Sequence, residues 1–314
     1  METGASGEQW TIRAGGHEAT VVEAGGGLRT YRVDGRDVVA GFEVDEAASS
    51  GRGQLLVPWP NRIRDGRYRF EGVEHQLPLS EPARGNASHG LARWIGWRCI
   101  ERGDSWVLVG CRIHEQPGWP GTLDVTARYE LDETSGLTVA IAAINVGATP
   151  VPFGCGAHPY VAMGDAPRAD VRLQVPASTY VVVDDVRKLP VEVVGVEASE
   201  LDFRAERPLG PTQLDTAFGE LRRDADGRWR VRVGSASVRA AVWGDESFPW
   251  VQVFTDKAAD DAAGRRGIAV EPLTCPPDAF NSGRDLVVLA PGERWRGAWG
   301  IEPDASWLED APAS

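Results

Sequence analysis

The chain has almost no lysine. Only Lys188 and Lys257 carry an ammonium; the other basic residues of its 33 are arginines, set against 46 acids, for a net charge of -13 and a pI near 4.9. Nucleic acids and anionic membranes are held by clustered Lys and Arg that release counterions, so this balance argues against both partners. The arginine bias reads as genomic composition, with no function attached to it. Cysteine is scarce too. Cys99, Cys111, Cys155 and Cys275 include no Cys-x-x-Cys pair, which argues against a zinc ribbon or a disulfide framework and predicts reduced, mostly buried thiols. No apolar run is long enough to span a bilayer, and residues 1–8 offer neither a basic n-region nor an apolar h-region, so a cytoplasmic protein is expected. Sustained i, i+3, i+4, i+7 apolar stripes, βαβ patterns, internal repeats and low-complexity linkers are missing as well.

What is there is short alternating segments bounded by turn residues. Residues 19–24 and 28–33 read as strands, and Asp34-Gly35 turns the chain into 37–40. Residues 67–70 and 73–77 pair around Glu71-Gly72, residues 97–101 pair with 105–113, and 124–131 pair with 137–146 around Glu133-Thr-Ser-Gly136. Further strands are expected at 171–175, 180–183, 191–194, 228–233, 238–243 and 250–255, and a last pair at 285–289 and 294–302. The reading is all-β, a large sandwich or barrel of antiparallel sheets. At 314 residues it forms one domain over 1–314, with 256–266 and the tail 303–314 as mobile segments.

Five stretches carry candidate chemistry. Gly267-Ile-Ala-Val-Glu-Pro reads as a buried strand ending at Glu271, after which Pro272, Pro276 and Pro277 are expected to stop the ladder. Glu271 is then either a catalytic carboxylate or one half of an ion pair at a sheet edge. In Leu55-Leu-Val-Pro-Trp-Pro-Asn-Arg-Ile63, an apolar strand ends on prolines and presents Asn61 and Arg62; the planar fork of Arg62 holds sugar hydroxyls or simply faces water. His89 is followed by Gly90, which allows close approach of backbone or ligand. In Phe153-Gly-Cys-Gly-Ala-His-Pro-Tyr160, Gly154 and Gly156 are expected to keep space around His158. Cys155 with His158 lacks the ligand count of a zinc site and the context of acyl transfer. Asp215, in Leu-Asp-Thr-Ala-Phe, is a site acid or a cap.

Together these stretches resemble the aldose 1-epimerase (galactose mutarotase) family, over nearly the whole chain. The motifs are Pro-Trp-Pro-Asn-Arg-Ile at 58–63, His-Gly at 89–90, Gly-Ala-His-Pro-Tyr at 156–160, Leu-Asp-Thr-Ala-Phe at 214–218 and Val-Glu-Pro at 270–272. The resemblance implies the galactose-mutarotase-like β-supersandwich, with Glu271 as catalytic base and His158 as acid. It implies that Arg62, His89 and Asp215, joined by Asn61 and Tyr160, hold the hydroxyls of a glucose- or galactose-type monosaccharide. No cofactor and no metal are expected, and the protein is expected to be a monomer or dimer.

Anomer interconversion suits such a pair, because one group must take the anomeric proton while another protonates the ring oxygen. Trp59, Trp243 and Trp250 are either an apolar platform under the sugar or ordinary core. After His89-Gly90 the chain runs Leu-Ala-Arg-Trp, which resembles a divergent bacterial branch, so glucose or a broad aldose range stands beside galactose. Some relatives take hexose 6-phosphates, which Arg52 or Arg93 would hold. The competing classes are a non-catalytic sugar-binding or regulatory protein, and a lyase or glycosidase domain, on the same architecture.

Overall fold

The structure is a computed structural model that describes residues 4–236, 238–255 and 266–304. Residues 256–265 and 305–314, which hold most of the segments expected to be mobile, lie outside the described residues. The turn-bounded hairpins form as the sequence predicts. Arg67–Phe70 pairs with Val73–Gln76, Arg98–Arg102 with Trp106–Ile113, and Leu123–Asp132 with Gly136–Asn145 through ten paired positions, Leu123↔Asn145 to Asp132↔Gly136. Along Leu123–Asp132, residues Leu123, Val125, Ala127, Tyr129 and Leu131 are buried and their neighbours more open, the period-two pattern of a sheet with one face on a core.

Among the described residues nine strands make one large sheet, running from Arg98–Arg102 through Leu123–Asp132, Gly136–Asn145, Arg294–Pro303 and Arg239–Gly244 to Arg207–Pro208. The facing sheet runs Pro190–Gly195, Ala177–Val183, Asp215–Leu221, Trp250–Phe254, Gly267–Leu273, Gly156–Ala157 and Leu55–Leu56, with Tyr160–Ala162 also paired to Gly267–Leu273. A four-stranded sheet of Gln9–Ala14, His17–Val22, Leu28–Val33 and Arg36–Asp37 adds to the same apolar cluster, which draws Trp10, Val125 and Val251 into one core. The fold is the all-β sandwich of large antiparallel sheets that the sequence predicted. The one described α-helix is a single turn at Ala279–Ser282.

Two expectations about strands are corrected. Val287–Leu289 does not pair with Arg294–Pro303; it pairs with Val151–Phe153, while Arg294–Pro303 lies between Gly136–Asn145 and Arg239–Gly244. A ten-residue central strand needs two long neighbours for its amides and carbonyls, and a three-residue strand cannot supply one. The ladder also does not stop at Glu271. It continues through Val251↔Pro272 and Trp250↔Leu273. Alternate amides of the Glu271 strand point away from Trp250–Phe254: that of Val270 donates to Pro159 and that of Thr274 to Cys155. Pro272 sits midway between them, facing the break between Gly156–Ala157 and Tyr160–Ala162, where the missing N–H removes no bond to Trp250–Phe254.

Candidate active site

The sheet register gathers three polar side chains. Gln252 lies directly opposite Glu271, Ala217 lies opposite Gln252, and Asp215 is two residues from Ala217. With a side-chain period of two, Asp215, Gln252 and Glu271 share one face of the sheet. Every residue of Gly267–Leu273 is buried, and Glu271 is 2% exposed. They line a cavity of about 470 Å³ together with Asn61, Arg62, Glu81, His89, Arg93 and His158.

His158 is brought to Glu271 by the segment between Gly156–Ala157 and Tyr160–Ala162, both paired to the Glu271 strand. Its Nε2 lies 3.3 Å from Glu271 Oε1. Its amide donates to the Gln54 carbonyl and its carbonyl accepts from the Gly53 amide. The side chain stacks on Tyr160, with ring centroids 5.1 Å apart and planes 16° from parallel. The glycine that makes room for the imidazole is Gly51. At φ +74°, a Cβ there would sit 2.9 Å from His158 Cδ2. Gly154 and Gly156, expected to have that role, instead make room for Cys275 and Leu273, at and just beyond the end of the Glu271 strand.

Beside His158, with the two rings edge to face and their centroids 5.5 Å apart, His89 is held by a reciprocal pair of hydrogen bonds to Asn61. The His89 amide donates to the Asn61 carbonyl, and the Asn61 amide donates to His89 Nδ1 at 3.1 Å. Both residues hold left-handed backbone, φ 54° and 61°, a costly conformation that concentrates at functional sites. Gly90 allows the closure, for a Cβ there would stand 2.2 Å from the Val57 carbonyl oxygen. Because His89 Nδ1 accepts, a neutral His89 carries its proton on Nε2 and offers a donor. Asn61 Nδ2 donates to Gln252 Oε1 at 3.2 Å, and Gln252 Nε2 donates to Asp215 at 2.6 Å. Arg62 donates to Glu81 at 2.9 Å and to Asp215 at 3.5 Å, while Arg84 donates to Glu81 at 2.7 Å.

Burial sets the proton balance. It pushes the Glu271 carboxyl well above its ordinary range, reinforced by Asp215, while Arg62 and Arg93 pull the other way. It pushes His158 down to about 3, with the Arg93 guanidinium adding to the effect, and pushes His89 well down. Burial also works against ionisation of Glu81, but Arg62, Arg84 and Asn86 more than offset it and hold that carboxyl below its ordinary value. The Glu271–His158 pair therefore favours a neutral acid beside a neutral imidazole over an ion pair, with one proton between them to move. Glu271 Oε2 and His158 Nδ1 are buried without a hydrogen-bond partner among the described residues. Most buried polar atoms in folded proteins are hydrogen-bonded, so an unpartnered pair beside a cavity is a candidate functional feature.

His89, His158 and Glu271 bring three possible ligand atoms within 4.8 Å of one another, close enough to hold a metal ion. The electrostatics weigh against it, because Arg62 and Arg93 already place two guanidiniums on the same cavity and His89 has given its Nδ1 lone pair to Asn61.

Of the seven site residues expected from the sequence, Glu271, His158, Arg62, His89, Asp215 and Asn61 meet around this cavity. Tyr160 does not. It is 1% exposed, stands behind His158 and donates its hydroxyl to the Ser50 carbonyl at 3.0 Å, so it backs the imidazole instead of touching a ligand. The tryptophans are core. Trp59 packs on Phe280, Trp243 lies under Arg228 and Trp250 donates to Asp285; the apolar wall is Phe254 with Leu214. Arg52 is buried away from the cavity, whereas Arg93 lines it. Sequence reasoning missed Gln252, Glu81 and Gly51. Gln252 left a signal, as the one polar residue of Trp250–Phe254.

The sequence profile of the family described as Aldose 1-epimerase matches residues 8–301. YihR, an uncharacterized protein of Escherichia coli (strain K12), is 32% identical over 93% of this chain and 92% of its own length; YphB of the same organism is 26% identical over 90% and 94%. Among solved structures, the GalM/aldose epimerase homologue from C. elegans superposes with a TM-score of 0.82 at 20% identity, covering 95% of this chain and 99% of that one. The galactose 1-epimerase from Lactobacillus acidophilus NCFM superposes with a TM-score of 0.76 at 22% identity, covering 94% of each. With its profile match over nearly the whole chain and its β-sandwich, the chain belongs to the aldose 1-epimerase family.

Proposed function

We propose that the protein is an aldose 1-epimerase that interconverts the α and β anomers of a free hexose. The observation that carries the reading is the buried Glu271–His158 contact at 3.3 Å on the cavity. In ring opening Glu271 takes the proton from the anomeric hydroxyl, the C1–O5 bond breaks with its electron pair on O5, and His158 protonates O5. The aldehyde rotates about C1–C2, and closure returns both protons by the reverse transfers. Opening thus converts a carboxylate and an imidazolium into a neutral acid and a neutral imidazole. That is the direction in which burial already biases the pair, so the low-dielectric floor lowers the free energy of the open-chain complex relative to the ring form. Arg62, Asp215, Asn61 and the Nε2–H of His89 are placed to hold hydroxyls, with Gln252 and Glu81 fixing the first three.

Polarimetry of freshly dissolved α-D-glucose and α-D-galactose tests this. Wild type accelerates the decay of rotation, and Glu271→Gln and His158→Asn each lose at least about 100-fold, the lower end for one positioned proton-transfer group. A folded wild type that binds a sugar without accelerating its mutarotation would instead favour the sugar-binding reading.

One observation favours hexose 6-phosphates as a second reading. Arg84 and Lys188 stand on the same cavity beyond the Arg62–Asp215 wall, and the ion-pair partner of Lys188 is the fully exposed Asp185 at 3.9 Å. Faster mutarotation of glucose 6-phosphate than of glucose, lost on Lys188→Ala, would select it.

A further inference from the structure

The segment 49–54 wraps the segment that carries His158 more closely than a passing loop needs to. Ser50 receives the Tyr160 hydroxyl, Gly51 lies against the imidazole, and Gly53 and Gln54 bond the His158 backbone. Arg52, in the middle, turns inward and is 2% exposed. Its Cζ lies 4.5 Å from the centroid of the Tyr160 ring, the ring on which His158 stacks. Its Nη1 donates at 2.7 Å to the Ala40 carbonyl, and the Ala40 amide donates back to the Tyr160 carbonyl at 2.8 Å. Arg52, Ala40 and Tyr160 thus close a circuit behind the imidazole.

Burying a guanidinium costs several kcal/mol of hydration, and an apolar side chain of similar volume would fill the space at no such cost. The arginine is held by the Ala40 carbonyl and the face of the Tyr160 ring, both of which lead to His158. Resting on the proposed reaction, we propose that Arg52 is a positioning residue for His158, acting through the Tyr160 face to fix the plane in which Nε2 meets Glu271 and the substrate. Tyr160 transmits the constraint because cation–π and ring-stacking contacts both prefer defined geometry on its ring.

The buried cation has an electrical consequence as well. The charged and titratable groups around His158 are Glu271 from the sheet, with Asp215 bearing on that carboxyl, His89, Arg62 and Arg93 on the cavity wall, and Arg52 and Tyr160 behind it. Arg52 stands with the groups that disfavour imidazolium. It therefore helps His158 to surrender its proton once O5 is ready to receive it.

The test uses Arg52→Gln, which can keep a donor for Ala40 but loses the charge and the planar fork, and Arg52→Lys, which keeps the charge. Two quantities are read: ¹⁵N imidazole resonances of His158 against pH, which need no turnover, and kcat and KM for mutarotation. In Arg52→Gln the His158 titration moves up in pH and kcat falls about tenfold with KM within twofold, the size expected for a catalytic group displaced by a few tenths of an ångström. Arg52→Lys restores the titration and only part of kcat. A folded Arg52→Gln with the wild-type titration and kcat overturns the proposal. If Arg52→Gln does not fold, an Arg52→Lys indistinguishable from wild type in kcat overturns it. A wild type without mutarotase activity, in which Arg52→Gln still shifts the resonances, overturns the reaction and leaves the positioning intact.

Discussion

Replacing Gln252 with Leu separates the architecture of the site from its chemistry. The amide is 3% exposed and serves two partners: it accepts from Asn61 Nδ2 at 3.2 Å and donates to Asp215 at 2.6 Å. A hydrogen bond to a charged group contributes about 1.5–3 kcal/mol, and a buried donor left without its partner costs about 1–3 kcal/mol. The Asp215 side chain is 21% exposed, so water takes over part of the first loss, and leucine regains some apolar burial. The expected net is about 2–4 kcal/mol. For a protein of this size that is a fall in Tm of roughly 3–6 °C, read by calorimetry. Asp215 would keep only the 3.5 Å contact to Arg62, and Asn61 would lose the bond that orients its amide. Because Glu271 and His158 are untouched, KM for the sugar should rise about 10- to 100-fold while kcat changes less than tenfold. A Tm within 2 °C and a KM within twofold of wild type would refute the view that Gln252 ties the two sides of the site together.

Other perturbations should be as legible. Gly51→Ala places a methyl 2.9 Å from His158 Cδ2 on left-handed backbone; kcat should fall about tenfold, and unchanged kinetics would show that the imidazole has slack. Arg62→Lys removes the fork that reaches Glu81 and Asp215 together, so it should raise KM about tenfold, and a KM like that of wild type would deny Arg62 its place in the sugar wall. His158 has a folded value of about 3, below its ordinary 6.5, so between those values the unfolded chain binds the extra proton. Its contribution to stability is therefore present above pH 6.5 and lost as the pH falls toward 3. Urea titrations should show His158→Asn losing stability less steeply than wild type across that window, and equal slopes would contradict the burial argument. Prolonged EDTA treatment should leave mutarotation unchanged; loss restored by zinc would make His89, His158 and Glu271 a metal site.

The all-β character, most hairpins and the six candidate residues that meet around the cavity were legible in the sequence. Asp-Gly and Glu-Gly turns, period-two burial and unusual local runs such as Pro-Trp-Pro-Asn-Arg are local properties, readable wherever the chain itself fixes the geometry. Sequence order could not reveal that Glu271 stands mid-strand, because a proline is tolerated there only by a break in the adjacent strand pair, which belongs to a different part of the chain. Nor could it tell which glycine shelters His158: Gly51 lies 107 positions away and meets the ring only after folding. Tyr160 and Arg52 have the chemistry of ligand contacts, and only folding showed that both are buried away from the cavity. Residue types marked the candidate groups, and the family resemblance implied which of them would transfer protons and which would hold hydroxyls. Long-range strand pairing decided which of them share a face, which lose their water, and hence in which direction each carboxyl and imidazole is driven.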